Sequence, residues 1–306
     1  MGRKSFYLLG ILLTIIIGTY FSYILCCNSE SQDENTTSSE IVATKKVYKE
    51  PTLYPFLAKD AISNLSFSSN DNFNFEASNL NFLKPISTNL ETEIDKLKDY
   101  LTTNDSKSLS ITGYYTQDEE NKSAYPNLGL ARANSIKNFL SSKGVSSKIM
   151  NTFGELKQDM IADSLQVYHG PLAFSISELK DNSEEMDKLA TYIKEHAIEL
   201  HFKSGQSEIS LNSEERQEIA DIAKYLDKVD GATCIITGHT DNTGDVTKNV
   251  ILGQNRANSV KEYLVKNAAI PANKIIATSK GQSEPIADNS TPEGRAKNRR
   301  TIITIK

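Results

Sequence analysis

The hydrophobic and polar positions along the chain divide it into three stretches of different character. The first is a run of 22 residues without charge, Phe6–Cys27, and a polar, acidic stretch follows from Asn28 to Glu40. Beyond about residue 59, short β-rich runs alternate with amphipathic stretches of helical period. This pattern predicts a membrane anchor over residues 1–27, a linker over residues 28–58 and an α/β globular part thereafter.

The apolar run Phe6–Cys27 is long enough to span a bilayer as a helix. A rise of about 1.5 Å per residue gives roughly 33 Å, against a hydrocarbon core of about 30 Å. Arg3 and Lys4 precede the run and acidic residues follow it, which predicts a cytoplasmic N-terminus and an exported remainder. A cleavable signal peptide has a shorter apolar core, and a lipoprotein signal places a small residue, not Leu25, before the lipidated cysteine. We therefore expect an uncleaved single-pass anchor, with a lipoprotein or a cleaved signal as alternatives.

The globular part contains an internal repeat. Ser108–Phe153 and Thr233–Ser279 each read as a β-rich strand, a polar loop, an amphipathic helix, a turn and a second strand. Leu128–Ser135 and Leu252–Ser259 are identical at six of eight positions. The repeat predicts two copies of one fold: tandem α/β sandwich domains, each a small mixed sheet with helices packed on it.

Further elements delimit each copy. An apolar stripe of helical period predicts an additional helix in each, and the helix of the second copy follows Ser213 as the expected N-cap. These elements place the domains at residues 59–177 and 182–306. The predicted helices are Thr88–Leu101 and Ser213–Val229, the opening strands Ile62–Phe67 and Ile198–Phe202, and the closing strands Leu172–Ile176 and Thr301–Ile305.

Charge and composition narrow the function classes. The net charge of −5 argues against a nucleic-acid partner, because phosphate binding needs a basic surface. Three cysteines make no disulfide framework, and Cys234 lies in a strand-like run, where we interpret it as a small buried hydrophobe. The four histidines are scattered without ligand spacing, and no nucleophile–base arrangement is evident. We therefore predict no enzymatic activity, no metal site and no cofactor.

Polar motifs cluster in the second copy. Gly238–Gly244 reads GHTDNTG, Arg256 lies in the following helix, and Gly294–Arg300 reads GRAKNRR. A strand–loop–helix turn can bring Asp241 and Arg256 into one cleft, with Arg256 expected one turn into its helix. One carboxylate and one guanidinium suit a ligand with an ammonium and a carboxylate, since arginine grips carboxylates in a bidentate fork. The alternative is that the two side chains pair only with each other.

These motifs, in this order and spacing, resemble the OmpA-like C-terminal domain found in OmpA, Pal and MotB proteins. The resemblance covers roughly Ile198–Lys306. It implies that the domain binds the peptide stem of peptidoglycan through meso-diaminopimelate, with Asp241 taking the ammonium and Arg256 the carboxylate. By the same resemblance, four further residues line the pocket: Thr240, Asn249, Leu252 and Arg299.

The first copy departs from this pattern. Arg132 takes the place of Arg256, but the position of Asp241 is held by Gln117, and Tyr125 stands where Asn249 would. Asp118 lies next to Gln117 and would correspond to Asp241 only if the alignment of the two loops were shifted slightly. We expect a degenerate copy in which Arg132 is structural and which serves as a spacer or as a docking surface for another envelope protein.

The resulting hypothesis is a non-catalytic protein that tethers a membrane to peptidoglycan, with its soluble part in the periplasm of a Gram-negative cell envelope. One alternative is a stator-like part of an ion-driven motor. The predicted anchor lacks the ionisable residue that marks an ion path, and this absence argues against the motor alternative. The other alternative is a wall-modifying enzyme in which the second copy is only the binding module. His239 is expected to be a hydrogen-bonded framework residue.

Overall fold

A computed structural model describes residues 49–201 and 209–306 of the chain. Lys49–Lys306 forms one compact unit. The predicted anchor Phe6–Cys27 and most of the predicted linker lie outside the described residues. Across residues 49–201 and 209–306, every helix is too short or too polar to cross a bilayer.

The first copy is built around a mixed five-stranded sheet. Its elements are β1 (Phe56–Asp60), β2 (Ser66–Ser69), β3 (Phe75–Glu76), α1 (Thr88–Thr103), β4 (Lys107–Tyr115), α2 (Leu128–Ser142), β5 (Met150–Leu156), β6 (Val167–Tyr168) and β7 (Leu172–Glu178). The strand order is β2-β1-β7-β4-β5, with β3 and β6 pairing separately. Strands β1 and β7 are parallel, as are β4 and β5, whereas β4 and β7 are antiparallel. The predicted mixed α/β class is confirmed for this part of the chain.

The second copy has a four-stranded sheet. Its elements are α3 (Ser183–Glu195), β8 (Ile198–His201), α4 (Ser213–Lys228), β9 (Cys234–His239), α5 (Val246–Asn267), β10 (Ile275–Gly281), α6 (Pro292–Asn298) and β11 (Arg300–Ile305). The strand order is β10-β9-β11-β8. Strand β9 runs parallel to β10 and antiparallel to β11, which corresponds to β4 with its neighbours β5 and β7 in the first copy.

A close approach of helix and strand recurs in the two copies. A Cβ atom added to Gly238 of β9 would lie 1.9 Å from the carbonyl oxygen of Gly253 in α5. In the first copy, a Cβ on Gly113 of β4 would lie 2.0 Å from the carbonyl oxygen of Gly129 in α2. Neither contact leaves room for a side chain. This packing accounts for the shared Leu-Gly that opens the most similar part of the repeat.

The two copies share part of their hydrophobic core. Tyr125 and Leu128 of the first copy belong to the same buried cluster as Ile222 and Val260 of the second. The phenol of Tyr125 donates to the carbonyl oxygen of Ala268 at 2.7 Å. The copies are therefore packed against each other, and the predicted division at residues 59–177 and 182–306 stays a prediction.

Several predicted boundaries are wrong. The opening strand of the first copy is Phe56–Asp60, and of the predicted strand Ile62–Phe67 only the last two residues are extended, in β2. Ile62 lies in a turn, where its N–H donates to the Asp60 carboxylate at 2.9 Å. The N-cap of α4 is Asn212, not Ser213, because Asn212 forms a reciprocal capping box with Glu215.

Helix α5 also starts earlier than predicted. Asp245 is its N-cap, and the side chain of Asp245 accepts from the N–H of Lys248 at 3.0 Å. Arg256 therefore lies three turns into the helix, not one.

Candidate functional site

Asp241 lies in the loop that follows β9 and forms two directed contacts. One carboxylate oxygen accepts from Nη1 of Arg299 at 2.9 Å, and the other accepts from the N–H of Thr243 at 3.0 Å. Partial burial raises the pKa of Asp241, but the hydrogen bonds from Arg299 and Thr243 outweigh it and lower the pKa below its usual value. The carboxylate is therefore ionised at neutral pH and can attract an ammonium group.

Two of the predicted lining residues hold this loop in place. Thr240 is 3% exposed, and its N–H donates to the carbonyl oxygen of Gly281 at 2.9 Å. The buried amide of Asn249 donates to the carbonyl oxygens of Asp241 at 3.3 Å and Thr243 at 3.2 Å. It also donates to Oε1 of Gln282 at 2.6 Å. Thr240 and Asn249 thus fix the backbone on both sides of Asp241.

Arg256 approaches the loop from α5. Its side chain is buried, and Nη1 donates to the carbonyl oxygen of His239 at 3.3 Å. Burial and the nearby Arg299 lower the pKa of Arg256, and Asp241 acts in the opposite direction. The charges of Asp241 and Arg256 interact, and Asp241 also forms an ion pair with Arg299 at 2.9 Å.

Arg299 reaches Asp241 because a buried amide anchors α6. Asn298 is fully buried, and its Oδ1 accepts from the N–H groups of Ile286 at 2.8 Å and Ala287 at 3.0 Å. Its Nδ2 donates to Oδ1 of Asn289 at 2.9 Å, an oxygen that also accepts from the N–H of Asn242 at 3.3 Å. Asn298 therefore fixes the end of α6 from which Arg299 reaches Asp241.

An exposed leucine and two buried polar residues surround the Asp241 loop. Leu252 lies one turn before Arg256 and is 40% exposed, so it offers an apolar surface beside the charged groups. His239 and Arg300 are both buried behind the loop. Burial and the charge of Arg300 lower the pKa of His239 to about 4, so His239 is neutral at pH 7. Its burial fits a framework position, but among the described atoms Nδ1 of His239 has no hydrogen-bond partner, so the predicted hydrogen bond of the ring is not seen.

Among the described residues, two guanidinium groups and one carboxylate interact at this loop: those of Arg256, Arg299 and Asp241. In the described atoms, Nε of Arg299 has no hydrogen-bond partner. A ligand carboxylate would give Arg299 a further acceptor, and a ligand ammonium would join Asp241, which is the chemistry of a zwitterionic ligand.

The equivalent place in the first copy is closed. Arg132 is fully buried and forms an ion pair with Glu119, whose side chain is 3% exposed. Arg132 also donates to the carbonyl oxygens of Tyr114 at 2.9 Å and Asn79 at 3.2 Å. The guanidinium carbon lies 5.3 Å from the ring centre of Phe75. The predicted structural role of Arg132 is confirmed.

The acid of the first copy was not predicted correctly. Neither Gln117 nor Asp118 pairs with Arg132 among the described residues, because Glu119 fills that place. Glu119 is further held by the N–H groups of Ser78 and Thr116, each at 3.0 Å. With both oxygens engaged, Glu119 offers nothing to an outside ligand.

Metal ligation and thiol reactivity are two further kinds of chemistry to consider in residues 49–201 and 209–306. No group of three or more His, Cys, Asp or Glu side chains is placed to hold a metal ion in this part of the chain. Cys234 is buried, and burial raises the pKa of its thiol to about 12. This confirms its interpretation as a small buried hydrophobe and not a reactive thiol.

Comparison with known proteins places these features in a family. The outer membrane protein Omp38 of Acinetobacter baumannii is 40% identical over 108 residues, which are 35% of this chain and 30% of that protein. The peptidoglycan-binding protein ArfA of Mycobacterium bovis is 42% identical over 84 residues, which are 28% of this chain and 26% of ArfA. The chain thus spans less than a third of either relative.

Among solved structures, the peptidoglycan-associated lipoprotein of Burkholderia pseudomallei is 25% identical, with a TM-score of 0.31, over 35% of this chain and 89% of that protein. A sequence profile of the OmpA family matches residues 73–166 and 201–299, which together are more than half of the chain. The two matched segments fall in the two copies of the repeat. The chain belongs to the OmpA family.

Proposed function

We propose that this chain is a non-catalytic peptidoglycan-binding protein of the cell envelope, which tethers a membrane to the wall through its second copy. The observation that carries the proposal is the constellation of Asp241, Arg256 and Arg299 around one loop. Membership of the OmpA family and the name of the relative ArfA support it. The first copy, with its site closed by Arg132 and Glu119, acts in this proposal as a spacer or a docking surface for another envelope protein.

The proposed ligand is the free amino-acid end of meso-diaminopimelate in the peptide stem. Its ammonium binds Asp241, and its carboxylate binds Arg256 with help from Arg299. Before binding, Arg299 holds the Asp241 carboxylate in position at 2.9 Å. Binding then places the ligand's two opposite charges beside charges that are already ordered, which limits the entropic cost of association. Leu252 contacts the apolar part of the ligand.

The binding of one stem peptide need not be strong. A wall presents many identical stems, so an anchored protein meets a high local concentration of ligand. In this proposal the anchor is the segment Phe6–Cys27, which makes the chain a single-pass membrane protein with its two tandem domains in the periplasm. The tether thus joins a permanent membrane attachment to a reversible wall attachment.

Co-sedimentation with purified cell wall tests the proposal. Truncating one partner of a desolvated charged contact typically costs about 2–5 kcal/mol, so Asp241→Ala or Arg256→Ala lowers affinity at least about thirtyfold. The matched control is Asp230→Ala, because the Asp230 carboxylate is 84% exposed in the same copy. Circular dichroism of each variant checks that the fold is retained.

If both site variants sediment with the wall as the control does, the site assignment is wrong. The non-catalytic part of the proposal has its own measurement. Wall incubated with the purified protein is assayed for soluble muropeptides, and their release above a blank would identify an enzyme instead.

A further inference from the structure

A second cleft lies between the two copies and shares no residue with the Asp241 site. Its volume is about 250 Å³. One wall is the β5 segment Met150–Phe153, and the other is the face of α4 that carries Gln217, Asp221 and Lys228. Leu130 contributes apolar surface. The cleft therefore combines apolar with polar lining residues, as small-molecule and peptide sites do.

The wall formed by β5 is the free edge of a sheet. Strand β5 is the last in the order β2-β1-β7-β4-β5. The carbonyl oxygen of Met150 points away from β4, because it accepts from Nζ of Lys228 at 2.9 Å. The N–H of Lys157 instead points to β4, where it donates to Tyr115 at 2.8 Å. Since the direction alternates along a parallel edge strand, Thr152 directs its N–H and C=O into the cleft, where an extended peptide can pair with them.

Two charged side chains in the cleft have neutral hydrogen-bond partners only. Lys228 donates to the carbonyl oxygens of Lys148 and Met150 and to Oδ1 of Asn151. The Asp221 carboxylate accepts from Nε2 of Gln217 at 3.1 Å. Within residues 49–201 and 209–306, neither Lys228 nor Asp221 forms an ion pair. Burial lowers the pKa of Lys228 to about 8 although the nearby Asp227 acts in the opposite direction, and burial raises the pKa of Asp221 although Lys224 opposes it.

The neighbouring charges of the cleft are already compensated. Lys137 forms an ion pair with Asp227, and Lys224 forms one with Glu185. The cleft therefore leaves one acid and one base for a ligand. Asp221 and Lys228 are seven residues apart on α4, which places them on one face of the helix and about 10.5 Å apart along its axis. An extended tripeptide, at about 3.3–3.6 Å per residue, spans roughly the same distance between its ends.

We propose that this cleft binds a short extended peptide, with a free ammonium at Asp221, a carboxylate at Lys228 and main-chain hydrogen bonds to Thr152. The peptide lies along β5 as an added strand, and one of its side chains packs on Leu130. The carboxylate replaces Asn151 Oδ1 as an acceptor of the Lys228 ammonium. This site is independent of the proposed wall-binding site, because the lining residues of the two differ.

The test uses the full chain in detergent micelles with ¹³C-methyl-labelled methionine, and tri-alanine as the probe. The chain contains four methionines, and Met150, which lines the cleft, is assigned by Met150→Leu. We expect tri-alanine to shift the Met150 methyl signal in a saturable way. Lys228→Met and Asp221→Asn each weaken binding at least about tenfold, since each removes one charge-assisted contact. Two substitutions are used so that misfolding of one leaves the other informative.

The controls separate this cleft from the wall site and from nonspecific binding. Lys188→Met removes an exposed lysine of α3 and leaves the affinity unchanged. N-acetyl-tri-alanine amide, which lacks both charges, binds at least about tenfold more weakly. The proposal is overturned if tri-alanine leaves Met150 unshifted, if the capped peptide binds equally well, or if neither cleft variant weakens binding. Loss of binding in Asp241→Ala would also overturn it, by assigning the peptide to the other site.

Discussion

Replacing Glu119 by glutamine tests whether the first copy has turned its ligand site into a structural element. Glu119 and Arg132 have side-chain exposures of 3% and 0%. Glutamine keeps the size and one oxygen of the side chain but removes its charge. The guanidinium of Arg132 then stays buried without a counter-ion, while its contacts with backbone carbonyls remain.

The loss of stability in Glu119→Gln follows from the burial of this ion pair. Removing one partner of a buried ion pair typically lowers stability by about 3–5 kcal/mol. For Glu119→Gln we expect at least about 3 kcal/mol, because two N–H groups also lose a charged acceptor. Since the free energy of unfolding falls by about 3 kcal/mol per molar urea, this loss lowers the urea concentration at the midpoint of unfolding by about 1 M.

Urea unfolding of Lys49–Lys306, followed by circular dichroism, gives the measurement. The matched control is Glu120→Gln, because the neighbouring carboxylate is 67% exposed and pairs with an equally exposed Lys122 at 3.0 Å. A surface pair of this kind changes stability by about 0.5 kcal/mol or less. If Glu119→Gln is as stable as Glu120→Gln, the closed pair does not stabilise the first copy, and the structural role given to Arg132 is refuted.

Three other predictions concern the second copy. Asn298→Ala removes the acceptor of two buried N–H groups and lowers stability by about 1–3 kcal/mol, and it weakens wall co-sedimentation because Arg299 loses its support. The His239 ring titrates by NMR with a midpoint of about 4. Because the unfolded histidine takes up a proton near pH 6.5, stability falls as the pH drops from about 6.5 to 4, and His239→Gln removes this dependence. In a Cys26→Ser/Cys27→Ser background, Cys234 reacts with a thiol reagent only after unfolding, since burial raises its pKa to about 12; native-state labelling at neutral pH contradicts its packing.

The fold was predictable where local pattern and packing agree. The helix Thr88–Thr103 differs from its prediction by two residues at one end. The repeat was visible because both copies need glycine where helix and strand touch, at Gly129 and Gly253. A close backbone contact restricts the residue type more strongly than ordinary core packing does.

The start of α5 was missed because the two copies differ just before the shared Leu-Gly. Pro126 precedes Leu128 in the first copy, and proline disfavours helix in the residue before it. The second copy has no proline between Asp245 and Leu252, so α5 continues back to Asp245, an N-cap residue that the sequence does offer.

The partners within the site could not be predicted from spacing. Arg299 lies 58 residues after Asp241, and only the packing of α6 brings their side chains together. In the first copy, counting residues identified Gln117, yet the carboxylate that reaches Arg132 is Glu119. A difference of two residues in a loop decides which side chain faces the arginine, and loop geometry is not contained in motif spacing.

The central claim is that Asp241 and Arg256 recognise the ammonium and carboxylate of meso-diaminopimelate. The most direct test is co-sedimentation of the full chain with diaminopimelate-type and lysine-type peptidoglycan at equal wall mass. Lysine lacks the second carboxylate, so Arg256 and Arg299 lose their partner on that wall. The account predicts strong binding to the diaminopimelate wall and at least about tenfold weaker binding to the lysine wall. Equal binding to both walls would contradict it.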